Sequence, residues 1–254
     1  EKMEIYMHNH PSVLGCRIDP LSMAEALDRV ESFIEQADPN GSSHIITLNA
    51  EIAYQAYYDP ALRDLINRAA LVTPDGIGIV WGARQLGIDV PERVTGIDLM
   101  ERICQRASSR GWKIYLLGAE PGIAEEAGRK LQQKYPGLLV AGVHHGYFQP
   151  DEEQEIVADI QKTAPQVLFV GLGAPRQEWW IDQHKDQLKV PVCIGVGGSL
   201  DVISGHKQRA PGWAIKLNLE WLYRLITEPS RIKRQLVLPL FVGLIIKSRF
   251  RGPA

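Results

Sequence analysis

Cysteine is scarce in this chain. Its 254 residues hold three, Cys16, Cys104 and Cys193, far apart and in apolar contexts. Such spacing excludes a disulfide framework and a cysteine-built zinc site, and it points to a reducing, cytoplasmic compartment. No run of about 18 or more uncharged apolar residues occurs, so an ordinary membrane span is excluded. The first twelve residues are polar and lack the apolar core of a secretory signal; a frayed tail is expected there. Several catalytic signatures are also missing. Without G-x-G-x-x-G or the Walker pattern, an NAD-binding Rossmann enzyme and a P-loop ATPase have no motif support. No G-x-S-x-G nucleophile elbow is present. There is no D-x-D, and the only close histidine pair, His144-His145, would point to opposite faces of a strand. Neither a metal nor a cofactor is therefore expected, and nucleic acid is not among the expected partners.

What the chain does have is an ordinary globular balance, 45% hydrophobic and 23% charged residues, with length enough for a sizeable core. The charge is unevenly spread. Beyond Gly205 stand ten Lys and Arg against Glu220 and Glu228, a local charge of +8, whereas the first 205 residues carry −10. A basic end on an acidic body favours an anionic surface or substrate at that end.

Apolar runs and helical stripes alternate along the chain. Strands are expected at Val13–Ile18, His44–Leu48, Leu71–Val72, Lys113–Leu117, Leu138–Val143, Val167–Val170 and Val192–Gly195. Helices are expected behind Ser22-x-x-Glu25, a capping box, and at 51–57, 60–69, 77–86, 97–108, 122–134, 151–162, 177–186 and 211–226. Asp38-Pro-Asn-Gly41 reads as a turn. Strands alternating with helices give an α/β fold: a mainly parallel, Rossmann-like sheet with helices on both faces. Residues 13–205 would form this catalytic domain, and 206–254 a basic helical appendage. In that appendage Leu236–Ile246 is uncharged and flanked by cations. Eleven helical residues cover about 16 Å, roughly half the hydrocarbon thickness. The segment therefore suits either the membrane interface or a helix packed on the sheet. Pro239 and Gly243 argue against a long straight helix.

The chemistry is expected beyond the carboxyl ends of the strands, where α/β sheets bind ligands. Leu71-Val-Thr-Pro-Asp-Gly-Ile-Gly78 places Asp75 at such an end. The residue suits either a helix N-cap or a general base. Glycine-bearing strand ends at Gly118-Ala119, Gly171-Leu-Gly173 and Gly195-Val-Gly197-Gly198 would present backbone N–H groups to an anion such as a diphosphate. Arg93, Arg224, Arg231 and Arg234 could meet the same charge bidentately. Each of these residues taken alone reads equally well as a turn glycine or a solvated arginine.

Seven motifs occur in order: Thr47-Leu-Asn-Ala-Glu51, Thr73-Pro-Asp-Gly-Ile-Gly78, Glu92-Arg-Val-Thr-Gly-Ile-Asp98, Gly171-Leu-Gly-Ala-Pro-Arg-Gln-Glu178, Gly195-Val-Gly-Gly-Ser-Leu-Asp201, Arg209-Ala-Pro211, and Glu220-Trp-Leu-Tyr-Arg224 through Arg234. In this the chain resembles the WecG/TagA/CpsF family of glycosyltransferases, over residues 13 to about 235. The resemblance implies an inverting, metal-independent transfer from a UDP-sugar to an undecaprenyl-diphosphate-linked sugar, by a cytoplasmic enzyme peripheral to the membrane. TagA-type members move N-acetylmannosamine onto N-acetylglucosamine through a β-1,4 bond for the wall teichoic acid linkage unit. Others use N-acetylmannosaminuronic acid or serve other surface polymers. The implied base is Asp75, with Thr47 and Gln177 as further catalytic residues and Asn49 beside them. Gly197, Gly198 and Asp201 of the fifth motif would join substrate binding. Arg224, Arg231, Lys233 and Arg234 would reach the acceptor diphosphate or an anionic membrane surface. A homo-oligomer is compatible with the family, and a non-catalytic nucleotide-sugar binding subunit would use the same strand ends.

Overall fold

A computed structural model describes residues 10–38, 41–217, 219–227 and 236–251. Most of the expected frayed tail, Pro39-Asn40 of the expected turn, and Arg231, Lys233 and Arg234 lie outside the described residues. Where one strand was expected over Val13–Ile18, the described residues form a hairpin. Strands β1 (Ser12–Val13) and β2 (Cys16–Arg17) pair antiparallel through Leu14 and Gly15, whose φ values are +53° and +80°. Two successive left-handed residues match the twist of a tight hairpin.

Six strands then form one parallel sheet. They are β3 (Ser43–Leu48), β4 (Leu71–Pro74), β5 (Lys113–Gly118), β6 (Leu139–His144), β7 (Val167–Gly171) and β8 (Val192–Gly195), ordered β4-β3-β8-β7-β5-β6. The sheet centre is buried on both faces, so its strands are nearly continuous apolar runs rather than alternating ones. The two-residue period sends neighbours to opposite layers. Ile45, Leu71, Phe169 and Ile194 pack under helices α1 (Met23–Glu35), α5 (Gly96–Arg110) and α6 (Ile123–Lys134). Ile46, Leu48 and Val72 face α2 (Ala50–Tyr58), α3 (Pro60–Asn67) and α4 (Ile77–Gln85). Leu168, Val170 and Cys193 face α7 (Glu153–Thr163) and α8 (Arg176–Leu188). All three cysteines are buried and free. Burial pushes the thiols of Cys16 and Cys193 up to about 12, which keeps them protonated and inert.

Local chemistry sets the helix starts. The Ser22–Glu25 capping box is closed in both directions, and the Asn49 side chain caps α2 by accepting from the Ile52 N–H. Thr95 caps α5 by accepting from Asp98. After β8 come α9 (Ser199–Ile203), α10 (Gly212–Lys216), α11 (Glu220–Thr227) and α12 (Val237–Arg251). The single helix expected over 211–226 is thus split in two.

Helix α12 runs through Pro239 and Gly243, the two residues that weighed against a long straight helix. Pro239 falls in the first turn, where a missing N–H forfeits no intrahelical bond. Phe241 and Ile245 are fully buried in the core beside α2 and α4. A Cβ on Gly82 would lie 3.0 Å from Phe241 Cζ, so that glycine is where the α12 ring seats on α4. The outward residues Leu240 and Phe250 are 54% and 83% exposed. No described helix is long and apolar enough to cross a membrane.

Candidate active site

A cleft of about 310 Å³ opens beyond the carboxyl ends of the sheet. Parallel pairing explains what it gathers. Thr47 of β3 stands in register with Thr73 of β4, so Asn49 and Asp75 leave adjacent strand ends on the same side of the sheet. The ends of β7 and β8 complete the floor with Gly173, Gln177, Gly197 and Gly198, and Arg93 comes from the loop before α5. Glu220 and Trp221 of α11 also line it. Arg93 Nη1 lies 3.7 Å from Glu220 Oε2, an ion pair that ties α11 to the body of the protein across the cleft.

Asp75 is not a helix cap. The N-cap of α4 is Gly76, with φ +86° and no side-chain capping bond. Instead, Asp75 Oδ2 accepts a hydrogen bond of 3.1 Å from the Gly96 N–H, the first residue of α5. Its own N–H donates to the Leu48 carbonyl at 2.8 Å. The carboxylate is therefore aimed by the start of a different helix, 21 residues further on. That helix start is itself braced. Thr95 Oγ1 donates to Asp98 Oδ2 at 2.6 Å, and Arg209 Nη2 donates to Asp98 Oδ1 at 2.6 Å. Burial works to raise the Asp98 carboxyl, but the bonds from Thr95 and Arg209 outweigh it and hold the group below the usual carboxylate range.

Close approach at this point depends on glycine. A Cβ on Gly96 would lie 3.2 Å from Thr47 Oγ1 and 3.7 Å from Asp75 Oδ2. Thr47 Oγ1 donates to the Gly195 carbonyl at 3.2 Å, linking β3 to the turn after β8. Gln177, 3% exposed, sits under that turn: its Oε1 accepts from the Gly197 N–H at 3.0 Å, and its Nε2 donates to Glu178 Oε1 at 2.8 Å.

Asp75, Thr47, Gln177, Asn49, Arg93, Gly173, Gly197 and Gly198 thus meet at one cleft, although they come from five motifs. Other candidates lie elsewhere. Gly118, Ala119 and Gly171 are not part of the cleft lining; they pack the ends of β5 and β7 together. A Cβ on Gly118 would fall 2.5 Å from the Gly171 carbonyl oxygen, and the Ala119 N–H donates to that same oxygen at 3.2 Å. Asp201 lies on α9, 3.4 Å from Lys207, also outside the lining. The Gly197 N–H is already taken by Gln177. Arg224 lies on α11. Among the described residues no group of three or more His, Cys, Asp or Glu could hold a metal ion.

The structure adds Thr95, Gly96, Glu220, Trp221 and Glu178. All five lie inside motifs quoted above, but only the fold shows that the first four share a cleft. Glu178 carries the least expected chemistry. It is fully buried, and its Oε2 has no hydrogen-bond partner. Burial pushes its carboxyl up to about 7, against the opposing bonds from the Gln177 amide and its own backbone N–H. His44 is the converse: burial pushes its imidazole down to about 3, so it is held neutral.

These groups predict a pH dependence. Between the usual carboxyl value of 4.5 and about 7, the folded chain keeps a Glu178 proton that the unfolded chain releases. Glu178 therefore costs stability increasingly as pH rises through that window, and the cost levels off above it. Glu178→Gln removes this slope and leaves the His44 contribution in place. The melting-temperature difference, variant minus wild type, should grow from pH 5 to pH 8 in parallel thermal unfolding. A constant difference would mean that Glu178 does not hold its proton as described.

Comparison with known proteins gives this geometry its setting. The sequence profile of the glycosyl transferase WecG/TagA/CpsF family matches residues 11–254. Two Staphylococcus aureus proteins, from strains MRSA252 and NCTC 8325, are each 37% identical to this chain over 237 residues, covering 93% of this chain and 92% of theirs. Both are named N-acetylglucosaminyldiphosphoundecaprenol N-acetyl-beta-D-mannosaminyltransferase.

Proposed function

The chain belongs to the WecG/TagA/CpsF family of glycosyl transferases, and on that premise we propose that it moves N-acetylmannosamine from UDP-N-acetylmannosamine to undecaprenyl-diphosphate-linked N-acetylglucosamine. The product is the β-1,4 disaccharide of a wall teichoic acid linkage unit. The names of the two staphylococcal relatives support the sugar and the acceptor. The observation that carries the mechanism is the placement of Asp75, with Thr47 and Gln177, at one strand-end cleft.

In this reading transfer is a single inverting displacement. Asp75 takes the proton of the acceptor's 4-hydroxyl as that oxygen attacks the donor's anomeric carbon. A C–O bond to the acceptor forms, the bond from the anomeric carbon to the UDP oxygen breaks, and UDP leaves with the electron pair. General-base help of this kind contributes about 10²–10⁴-fold. Thr47 and Gln177 hydrogen-bond sugar hydroxyls. The growing diphosphate charge is met by backbone N–H groups and by arginines, of which Arg93 is at the cleft. The C-terminal cations Arg224, Arg231, Lys233 and Arg234 serve the acceptor diphosphate. The lipid stays in the membrane, so the protein works at its inner face, with 206–254 as the membrane-facing appendage. No metal enters this mechanism.

The test is UDP release in EDTA with a lipid-diphosphate-linked N-acetylglucosamine acceptor, comparing two donors. Acceptor-dependent release from UDP-N-acetylmannosamine is the expected result. Release only from UDP-N-acetylmannosaminuronic acid would keep the mechanism and move the pathway. A folded protein that binds UDP but releases none from either donor would leave the proposed reaction without support.

A further inference from the structure

We propose that Glu178 is a positioning residue: its carboxyl sets which way the Gln177 amide faces, and through that amide it holds the Gly195–Ser199 turn at the floor of the cleft. Glu178 touches no substrate. The proposal rests on the reading of Gln177 as a sugar contact and goes beyond it, because it says what fixes that contact.

The argument is an accounting of donors and acceptors. A glutamine amide can sit in two orientations related by a half-turn, and only its neighbours choose between them. In the orientation present, Oε1 takes the Gly197 N–H and Nε2 gives one of its two hydrogens to Glu178 Oε1. The half-turn would set donor against donor at Gly197, and acceptor against acceptor at an ionised Glu178. Both mismatches would be buried, where unmade hydrogen bonds are expensive. Above about pH 7, where Glu178 is ionised, the amide is therefore fixed at both ends. Its plane, and with it the direction of the second Nε2 hydrogen, is set before any sugar arrives.

Packing from the strand side leaves no slack. A Cβ on Gly195 would lie 2.5 Å from Gln177 Nε2 and 2.9 Å from Glu178 Oε1, so the amide and carboxyl lie directly against the end of β8. The same residue is held from the far side by Thr47, through its carbonyl. The turn is thus clamped between β3 and α8. It runs through Gly197 at φ +51° and lines the cleft with Val196, Gly197, Gly198 and Ser199. Glu178 achieves this with one oxygen unpartnered. An apolar side chain of similar size would avoid that desolvation, so a residue chosen only for packing would not be a carboxylic acid.

The experiment is a double-mutant cycle on the full-length protein, read as UDP release in the same metal-free assay. Gln177→Ala, Glu178→Leu and the pair are compared with wild type, each with its melting temperature at pH 8. Glu178→Leu is expected to melt no lower than wild type yet to lose about tenfold in rate, the usual worth of one positioning hydrogen bond. In the Gln177→Ala background the same change should add less than about twofold, because the two residues act as one unit. Glu178→Gln keeps an acceptor oxygen where Gln177 needs it, and should return to within about threefold of wild type. A Glu178→Leu protein at wild-type rate, or an additive double mutant, would overturn the proposal while leaving Gln177 in place. Gln177→Ala at wild-type rate would remove both the sugar contact and its positioning. Should Glu178→Leu fail to fold, Glu178→Met, an unbranched apolar side chain that likewise offers no carboxylate, carries the same comparison.

Discussion

Asp75→Asn folds as the wild type does and still binds UDP, but it transfers sugar about 10²–10⁴-fold more slowly. The exchange is nearly isosteric. An Asn carbonyl oxygen can accept the Gly96 N–H that Asp75 Oδ2 accepts at 3.1 Å, so the start of α5 keeps its partner. The backbone bond from residue 75 to the Leu48 carbonyl does not depend on the side chain. What is lost is the ability to take a proton. An amide oxygen is far too weak a base to deprotonate a sugar hydroxyl as it attacks. Three measurements separate chemistry from damage: the melting temperature, the UDP-induced thermal shift without metal, and turnover with saturating lipid-linked acceptor. Unchanged stability and binding with collapsed turnover is the expected pattern. Wild-type turnover would take Asp75 out of the mechanism and leave the cleft a binding site.

That expectation was half legible in the sequence. A carboxylate after an apolar strand and before two glycines marks a strand end, and strand ends of parallel sheets are where ligands bind. The sequence could not separate a base from a cap, because both suit Asp at that spacing. The fold removes the cap by giving that place to Gly76 and bringing Gly96 to the Asp75 carboxylate, a contact with no local signature. The parallel α/β architecture was legible for a simple reason: long apolar runs and capped amphipathic stretches encode it one element at a time. The opening hairpin was not. Leu14 takes φ +53°, and leucine is not a residue whose presence announces a left-handed turn. Glu178 was hidden in another way. An acid in the first turn of a helix is normally a solvated residue favoured by the helix dipole, and nothing nearby in sequence says that β8 will cover it. The glycines at 118 and 171 resembled anion-binding strand ends; their tight mutual packing is equally a reason for glycine, and only the register of β5 on β7 reveals it.

Replacing Leu240, Ile246 and Phe250 together with glutamate should abolish flotation with anionic liposomes and leave the fold intact. These side chains are 54%, 46% and 83% exposed on α12, whereas Phe241 and Ile245 of the same helix are fully buried against the body. Packing therefore uses only one face of the helix. Simple deletion of the segment would strip Phe241 and Ile245 from the core and confuse membrane loss with unfolding; substitution of the outward face does not. Trp213 of α10, Leu217 just after it and Ile226 of α11, which are 61%, 63% and 71% exposed, add apolar surface. So much exposed apolar surface beside a basic segment is what an interfacial contact needs. Full burial of one such side chain is worth about 1.5–3 kcal/mol. Even partial insertion of three should account for two or more decades of membrane affinity, before the added negative charge is counted. The variant should melt with the wild type and should turn over a water-soluble, short-chain acceptor at the normal rate, while losing rate on vesicle-borne acceptor. Flotation that survives the substitution would mean that α12 is only a packing element. Altered molecular mass with unchanged flotation would instead make its outer face a contact between copies of the chain.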